Sequence, residues 1–184
     1  MQEVVVLRWG HRSRDLRVTT HLALTARAFG ASGLILSDVK DEKIEKSIMK
    51  VNELWGGKFF FKMGIPWRKV VEEWRKNNGI IVHLTMYGEN IGSSNVLQKI
   101  KETGRNVLLI VGSQKVPRIF FSPEISDFNV AVGNQPHSEV AAIAVFLDRF
   151  FNGKELIKEF ENAKIRIIPS KRSKKVLRLK ANFS

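Results

Sequence analysis

The sequence predicts an α/β fold whose central sheet is mostly parallel. Six short apolar segments recur along the chain, and segments with helical spacing separate them. The apolar segments are nearly uninterrupted rather than alternating, which is typical of strands that are buried on both faces. Strands that alternate with helices are joined by crossover connections, so we expect a mostly parallel six-stranded sheet. The six segments are Val4–Leu7, Leu34–Leu36, Phe59–Phe61, Ile80–Leu84, Val107–Val111 and Val130–Val132.

Five helices are expected between and after these strands. In the first three, apolar residues recur at intervals of three or four residues and a glycine follows the last of them. Pro66 stands near the start of the third, where a proline is well tolerated. The fourth is a short helix around Val96–Lys101, and the fifth is a long apolar helix that starts near Ser138. The first three cover residues 18–29, 44–55 and 67–74.

The character of the chain changes after Asn152-Gly153, so we expect a main domain over residues 1–153 and a basic extension over residues 154–184. The spacing predicts a short charged helix over Lys154–Ala163, with Leu156, Ile157 and Phe160 on one face. Two β-like pieces follow, Ile165–Ile168 and Val176–Leu179, and PSKRSKK separates them. They form either a hairpin with a basic tip or a pair of tail strands.

The charge of the chain predicts a polyanionic partner. The 184 residues carry a formal net charge of +13, and residues 154–184 hold ten basic and three acidic side chains. Such an excess favours nucleic acid, although it also suits a protein that is merely kept soluble. There is no cysteine, which excludes disulfides and thiolate catalysis. No apolar run approaches the roughly 18 residues of a membrane helix, and the N-terminus is unlike a signal peptide, so a cytoplasmic location is expected.

Several common chemistries are excluded by their missing motifs. No G-x-G-x-x-G follows a strand, and there is no P-loop sequence or G-x-S-x-G. The four histidines do not have metal-ligand spacing, so no metal is expected; they are His11, His21, His83 and His137.

What remains is a set of loops at the carboxyl ends of strands, where open α/β sheets bind ligands. The three late loops begin TMYGENIGSSN after Leu84, GSQKVP after Val111 and GNQPHSE after Val132. They contain glycine but no nucleophile with its base, which indicates a pocket of backbone groups for a neutral or zwitterionic cofactor. The first loop, after Leu7, instead carries a cluster of four arginines that suits phosphate contact, unless it is only a solvated helix start; the arginines are Arg8, Arg12, Arg14 and Arg17.

Three segments carry a resemblance to a known family. They are LRWGHRSRDLRVTTHLALTARAFGASGLIL, NVLLIVGSQKVP and NVAVGNQPHSEVAAIAVFLDRF. In this order they resemble motifs one, two and three of the SPOUT class of RNA methyltransferases, from Val4 to about Phe150. More narrowly, WGHR, RVTTH and ARAFGA are similar to the archaeal tRNA cytidine-56 ribose 2′-O-methyltransferase family.

The resemblance implies a SPOUT fold with a C-terminal trefoil knot, a homodimer, tRNA as partner and S-adenosylmethionine as cofactor. By the resemblance the loops after the late strands hold the cofactor. The implied cofactor-binding residues are Leu84, Gly112, Ser113, Gln114, Lys115, Val116, Val130, Ala131, Val132, Gly133, Asn134, Gln135, Pro136 and His137.

One departure from the family pattern affects the catalytic assignment. The broader ribose-methylating branch has an arginine four residues before A-F-G, and this chain has Leu24 there. We therefore assign the role first to Arg17, with Arg12 and His21 behind it. An arginine can stabilise the developing alkoxide but is a poor base, so the proton acceptor stays open among His21, a phosphate oxygen and water.

Charge and position predict the RNA contacts at the first loop and at the tip of the tail. These residues are Arg8, Arg14, Lys171, Arg172, Lys174 and Lys175. A non-catalytic basic RNA-binding α/β protein is the alternative from a different class, and binding of S-adenosylmethionine discriminates between the two. A nicotinamide-dependent enzyme is disfavoured because the glycine fingerprint is missing.

Overall fold

Six strands form one parallel sheet in the computed structural model of this chain, which describes residues 2–113 and 115–179. Their spatial order is β3-β2-β1-β5-β4-β6, and each neighbouring pair is parallel. This confirms the predicted sheet. The strands are β1 (Val4–Trp9), β2 (Gly33–Ser37), β3 (Phe60–Ile65), β4 (Ile80–Asn90), β5 (Val107–Gly112) and β6 (Phe128–Ala131).

Five α-helices cover the sheet, as the periodicity predicts. Two of them begin at residues whose side chains cap the helix: the Asp41 carboxylate accepts from the Lys43 N–H at 3.1 Å, and the Ser138 hydroxyl accepts from the Val140 N–H at 3.1 Å. Asn152, in a left-handed conformation with φ of 57°, follows the last helix. The helices are α1 (Leu16–Ala28), α2 (Glu42–Trp55), α3 (Trp67–Lys76), α4 (Val96–Glu102) and α5 (Glu139–Phe151).

The core is divided between the two faces of the sheet. Alternate residues of β1 show the division, since Val4 and Val6 pack with α1, α2, α4 and α5, whereas Val5 and Leu7 pack with α3 and Phe120. Burial on both faces explains why the strands read as uninterrupted apolar runs.

Strand β4 continues past the point where the sequence predicts a loop. Its pairing with β6 breaks between Leu84 and Glu89 and then resumes, with Asn90 opposite Ala131. Gly88 permits the return, because a Cβ there would lie 2.4 Å from the backbone nitrogen of Val130. The resulting bulge over residues 85–88 packs against the end of β6. The trefoil knot implied by the resemblance stays a prediction.

The predicted charged helix over Lys154–Ala163 is wrong. Only a single 3-10 turn forms there, over Lys154–Ile157, because Lys158 is extended with ψ of 127° and Asn162 has a positive φ of 59°. Leu156 and Ile157 are exposed. The ring of Phe160 lies under the guanidinium of Arg27, which is 4.5 Å from the ring centroid.

The C-terminal pieces form a hairpin. β7 (Ile165–Ile168) pairs antiparallel with β8 (Lys175–Arg178), which decides between the two predicted arrangements. The segment is fastened to the main body, since the Lys164 N–H donates to the Leu54 carbonyl at 2.9 Å and the Gly57 N–H to the Glu161 carbonyl at 2.8 Å. The domain boundary at residue 153 stays a prediction. Within the described residues, no helix is long and apolar enough to cross a membrane.

Candidate functional site

A large cavity opens at the carboxyl ends of β4, β5 and β6, beside the start of α5. Its volume is about 690 Å³, within the usual range for small-ligand sites. The three late loops converge here because the carboxyl ends of parallel strands meet at one edge of a sheet. Ten of the predicted cofactor-binding residues line it: Leu84, Gly112, Ser113, Lys115, Val116, Val130, Val132, Gln135, Pro136 and His137.

Three other predicted residues do not line the cavity. Ala131 is buried, and its carbonyl accepts from the Ile91 N–H at 2.9 Å. The side-chain amide of Asn134 is already engaged, because it donates to the Met86 carbonyl at 2.7 Å. Gly133 lies beside open space, since a Cβ there would meet no heavy atom within 4 Å. The remaining predicted residue, Gln114, lies outside the described residues.

The sequence places the TMYGENIGSSN loop at this pocket but does not predict that it forms a bulge of β4, and it does not indicate the lining residues Arg118 and Phe121. A strand that runs through a bulge has no simple periodicity, although the polar TMYGEN stretch with its glycine was a signal for one. Glu139 was missed because it occupies the first turn of a helix, where an acidic residue is ordinary. The additional lining residues are His83, Thr85, Met86, Tyr87, Val111, Arg118, Phe121, Glu139 and Ala142.

His83 lies in this wall as a neutral imidazole. Its Nδ1 is 2.9 Å from the Asn129 side-chain oxygen, and the Asn129 amide nitrogen donates to the Phe121 carbonyl at 3.1 Å. The Asn129 oxygen is therefore the acceptor. Nδ1 of His83 carries the proton, and Nε2 carries a lone pair. Burial lowers the pKa of His83, and the hydrogen bond to Asn129 opposes that effect. Nε2 has no partner among the described residues.

Arg8 is not available to RNA, which corrects its predicted role. Its side chain is 0% exposed; one guanidinium nitrogen donates to the Gly112 carbonyl at 2.8 Å and another to Glu139 Oε1 at 2.8 Å. Burial lowers the pKa of Arg8, whereas the hydrogen bond and charge of Glu139 raise it. The partner lies 131 residues away in the sequence, so the arginine cluster alone could not distinguish Arg8 from its neighbours.

The three predicted catalytic residues, Arg12, Arg17 and His21, do not line the cavity. Arg12 is half-buried and its Nε lies 3.2 Å from Asp15 Oδ2, which helps to lower the pKa of that carboxyl. Arg17 and His21 are exposed, four residues apart on α1 and thus on one face of the helix. Arg14 is exposed as predicted for an RNA contact.

The connection between β1 and α1 contacts the cavity wall through the carbonyls of Trp9 and Gly10. The Ser113 N–H donates to the Trp9 carbonyl at 2.9 Å, and the Ser113 hydroxyl donates to the Gly10 carbonyl. Along the part of the chain described, no cluster of three or more histidine and acidic side chains could hold a metal ion.

The tail presents its basic residues to solvent. Within residues 2–113 and 115–179, none of the four predicted tip residues forms an ion pair, in contrast with Arg166, which contacts Glu159 at 3.0 Å. The tip residues Lys171, Arg172, Lys174 and Lys175 are all exposed.

Residues 55–177 match the family described as "tRNA ribose 2′-O-methyltransferase, aTrm56", which is two thirds of the chain. The chain belongs to this family. Relatives agree over nearly the whole length: a tRNA (cytidine(56)-2′-O)-methyltransferase of Staphylothermus marinus is 54% identical over 96% of this chain and 94% of its own. The relative of the same name in Methanocaldococcus jannaschii is 53% identical over 97% of this chain and 98% of its own.

Solved structures share the fold of this aTrm56 family member. An A. aeolicus TrmH/SpoU tRNA modifying enzyme aligns with a TM-score of 0.61 at 14% identity, covering 84% of this chain and 77% of its own. The SpoU methyltransferase AviRb of Streptomyces viridochromogenes, in complex with the cofactor AdoMet, aligns with a TM-score of 0.55 at 16% identity over 83% of this chain and 62% of its own. These likenesses confirm the predicted SPOUT methyltransferase fold.

Proposed function

We propose that this protein transfers a methyl group from S-adenosylmethionine to a ribose 2′-hydroxyl of tRNA, at cytidine 56 of the T-loop. The observation that carries the proposal is the agreement between family and cavity. Relatives named for that reaction are 52–54% identical over 96–97% of the chain, and ten of the residues expected to hold the cofactor converge on one cavity.

The cavity fits S-adenosylmethionine in size and chemistry. Its apolar wall suits the adenosine, and the backbone groups of the lining residues that follow β5 and β6 suit its polar edges; they include Gly112, Ser113, Gln135 and His137. Glu139 is the one carboxylate among the described residues that line the cavity, and its negative charge attracts the positively charged ligand. When bound, S-adenosylmethionine supplies an electrophilic methyl group, and the late loops hold it against the incoming ribose.

The exposed face of α1 supplies the groups that act on the ribose and its phosphate. Arg17 is the leading candidate for stabilising the oxygen that attacks the methyl group and for anchoring the neighbouring phosphate, because it is exposed and carries no ion pair among the described residues. Arg12 is a weaker candidate because Asp15 already engages it. His21, exposed on the same face, stays a candidate proton acceptor alongside a phosphate oxygen and water.

A homodimer would cover the outward face of α5. Val145 on this helix and Val18 on α1 are each 40% exposed, although the two helices pack together in the same layer. An apolar face of this kind suits a second copy of the chain, related by a twofold axis. Sedimentation at micromolar concentration tests the proposed interface, and a monomer would contradict it.

The basic hairpin is proposed to contact tRNA phosphates. Its four tip residues are exposed and belong to a segment fastened to the main body, so a docked tRNA would meet charges in a fixed place. Phosphate contacts orient a substrate without reading its sequence.

The function is tested by incubating the protein with unmodified tRNA and S-adenosylmethionine that carries a labelled methyl group, then mapping the modified nucleotide. We expect one labelled ribose, at cytidine 56. A protein that binds tRNA but neither binds the cofactor nor transfers label is instead a non-catalytic RNA-binding protein.

A further inference from the structure

A buried ion pair joins two walls of the cavity. Arg8, at the end of β1, donates to the carbonyl of Gly112 in the β5 wall and to Oε1 of Glu139 at the start of α5, each at 2.8 Å. The arginine side chain is 0% exposed, but that of Glu139 is 28% exposed and lines the cavity. The pair therefore fixes a carboxylate at the edge of the cavity, with one oxygen held and Oε2 without a hydrogen-bond partner among the described residues.

A carboxylate in this position is unexpected if the cavity serves only RNA. The chain has a net charge of +13, and a negative group would repel phosphates that approach the site. The other charged residues of the cavity wall, Lys115 and Arg118, are cationic. A methyl donor of the sulfonium class is different from RNA, because it carries positive charge on its sulfur and on its amino group.

We infer that Glu139 recognises the cationic part of the methyl donor through its free oxygen, and that Arg8 is the positioning residue that holds the carboxylate in place. The inference rests on the proposed function and adds the residue that recognises the positive charge of the cofactor. Oε1 is occupied by Arg8, so Oε2 accepts from, or lies against, the cationic group. Arg8 also donates to the Gly112 carbonyl, so it holds the Glu139 carboxylate at a fixed distance from the backbone at the end of β5.

Three related probes separate charge recognition from damage to the cavity. S-adenosylmethionine carries both positive groups, S-adenosylhomocysteine carries only the ammonium, and methylthioadenosine carries neither but keeps the adenosine and the thioether. In Glu139→Gln the amide oxygen can still accept from Arg8, so the variant removes charge while preserving shape. By calorimetry we expect S-adenosylmethionine to bind about tenfold more weakly and methylthioadenosine to bind within about twofold of the parent. S-adenosylhomocysteine then locates the contact, because its affinity falls if the carboxylate meets the ammonium and holds if it meets the sulfonium.

The matched control is Glu124→Gln, which removes an exposed carboxylate that does not line the cavity and should leave all three affinities unchanged. Arg8→Gln keeps the carboxylate but not its support, and we expect a reduced preference for S-adenosylmethionine over methylthioadenosine. Removing Glu139 leaves the Arg8 charge buried without its partner, which destabilises a fold. If the single variant does not fold, the double variant Arg8→Gln/Glu139→Gln removes both charges and should show the same loss of preference.

An equal loss of affinity for all three probes would overturn the inference, because it would assign the pair a purely structural role. An unchanged affinity for S-adenosylmethionine in Glu139→Gln would also overturn it. Neither result affects methyl transfer by the parent protein, so the inference can fail while the proposed function stands. If the parent binds none of the three probes, the proposed function fails first.

Discussion

The side-chain amide of Asn134 donates a hydrogen bond of 2.7 Å to the backbone carbonyl of Met86. Asn134 follows β6, and Met86 belongs to the bulge of β4 that lines the cavity. The Asn134 oxygen also accepts from the Asn90 side chain at 2.8 Å, so one residue fastens the loop after β6 to the bulge and to the part of β4 that follows it. Asn134 therefore supports the cavity from outside it.

Asn134→Ala is expected to weaken binding of S-adenosylmethionine about two- to tenfold, the range that corresponds to one or two lost hydrogen bonds. The bulge would lose its tie to the loop after β6, and the cavity would be less well ordered before the ligand binds. Calorimetry measures the effect. Asn77→Ala is the matched control, since it removes an exposed amide that donates to the Glu73 carbonyl at 2.8 Å away from the cavity. Equal affinities in the two variants would contradict the role of Asn134.

Arg17→Ala is expected to reduce methyl transfer by about 100-fold or more, because a positioned cation near the attacking oxygen acts mainly on the transition state. Cofactor affinity and the unfolding midpoint should match those of the parent, since the Arg17 side chain is exposed and does not line the cavity. Lys50→Ala, which removes an exposed cation on α2 with no predicted RNA contact, is the control for loss of charge. Near-parental turnover of Arg17→Ala at saturating tRNA would make Arg12 the leading candidate instead.

Replacing Lys171, Arg172, Lys174 and Lys175 with alanine is expected to weaken tRNA binding and to flatten its dependence on salt. The slope of log affinity against log salt should fall by up to about 0.9 for each phosphate contact removed. Affinity for S-adenosylmethionine should not change. A variant with Lys43, Lys46, Lys50 and Lys69 replaced loses the same charge from exposed helical positions and serves as the control. If the two quadruple variants have the same salt slope, the hairpin is only a solubilising tail.

His83 is expected to make the protein less stable in mild acid. Burial holds the pKa of His83 below its usual value of about 6.5, so the folded state prefers the neutral ring. Its contribution to the free energy of unfolding is fully present above about pH 6.5 and is lost as the pH falls toward the depressed folded-state pKa. Urea unfolding from about pH 7.5 to about pH 5 should show a flatter pH dependence for His83→Gln than for the parent. His137→Gln, which removes an exposed histidine, should keep the parental slope.

The sheet and the five helices could be predicted from the sequence because each depends on local pattern. β1 reads as continuous apolar residues because both of its faces are buried, and α5 is capped by the serine that the sequence places at its start. The Lys154–Ala163 segment shows where this reasoning stops. Its apolar spacing is helical, but Lys158 is extended and Asn162 has a positive φ, and the Glu161 carbonyl accepts from the distant Gly57 N–H, a contact that local spacing does not predict.

The site was predicted in part for the same reason. Residues that directly follow β5 and β6 were found because position at a strand end predicts exposure to the cavity. Glu139 and the burial of Arg8 were not found, because their contact joins segments 131 residues apart. The wall formed by Met86 depends on a bulge that is fixed by pairing with β6, which is also a long-range effect.

The most direct test of the central claim compares two tRNAs that differ at a single atom. One carries an ordinary cytidine at position 56, and the other carries 2′-deoxycytidine there, so that the proposed nucleophile alone is missing. With labelled S-adenosylmethionine and saturating amounts of each tRNA, we expect about one methyl group per molecule of the first and none on the second, with similar binding of both. Equal labelling of the two tRNAs, or no labelling of either by a protein that binds them, would contradict the account.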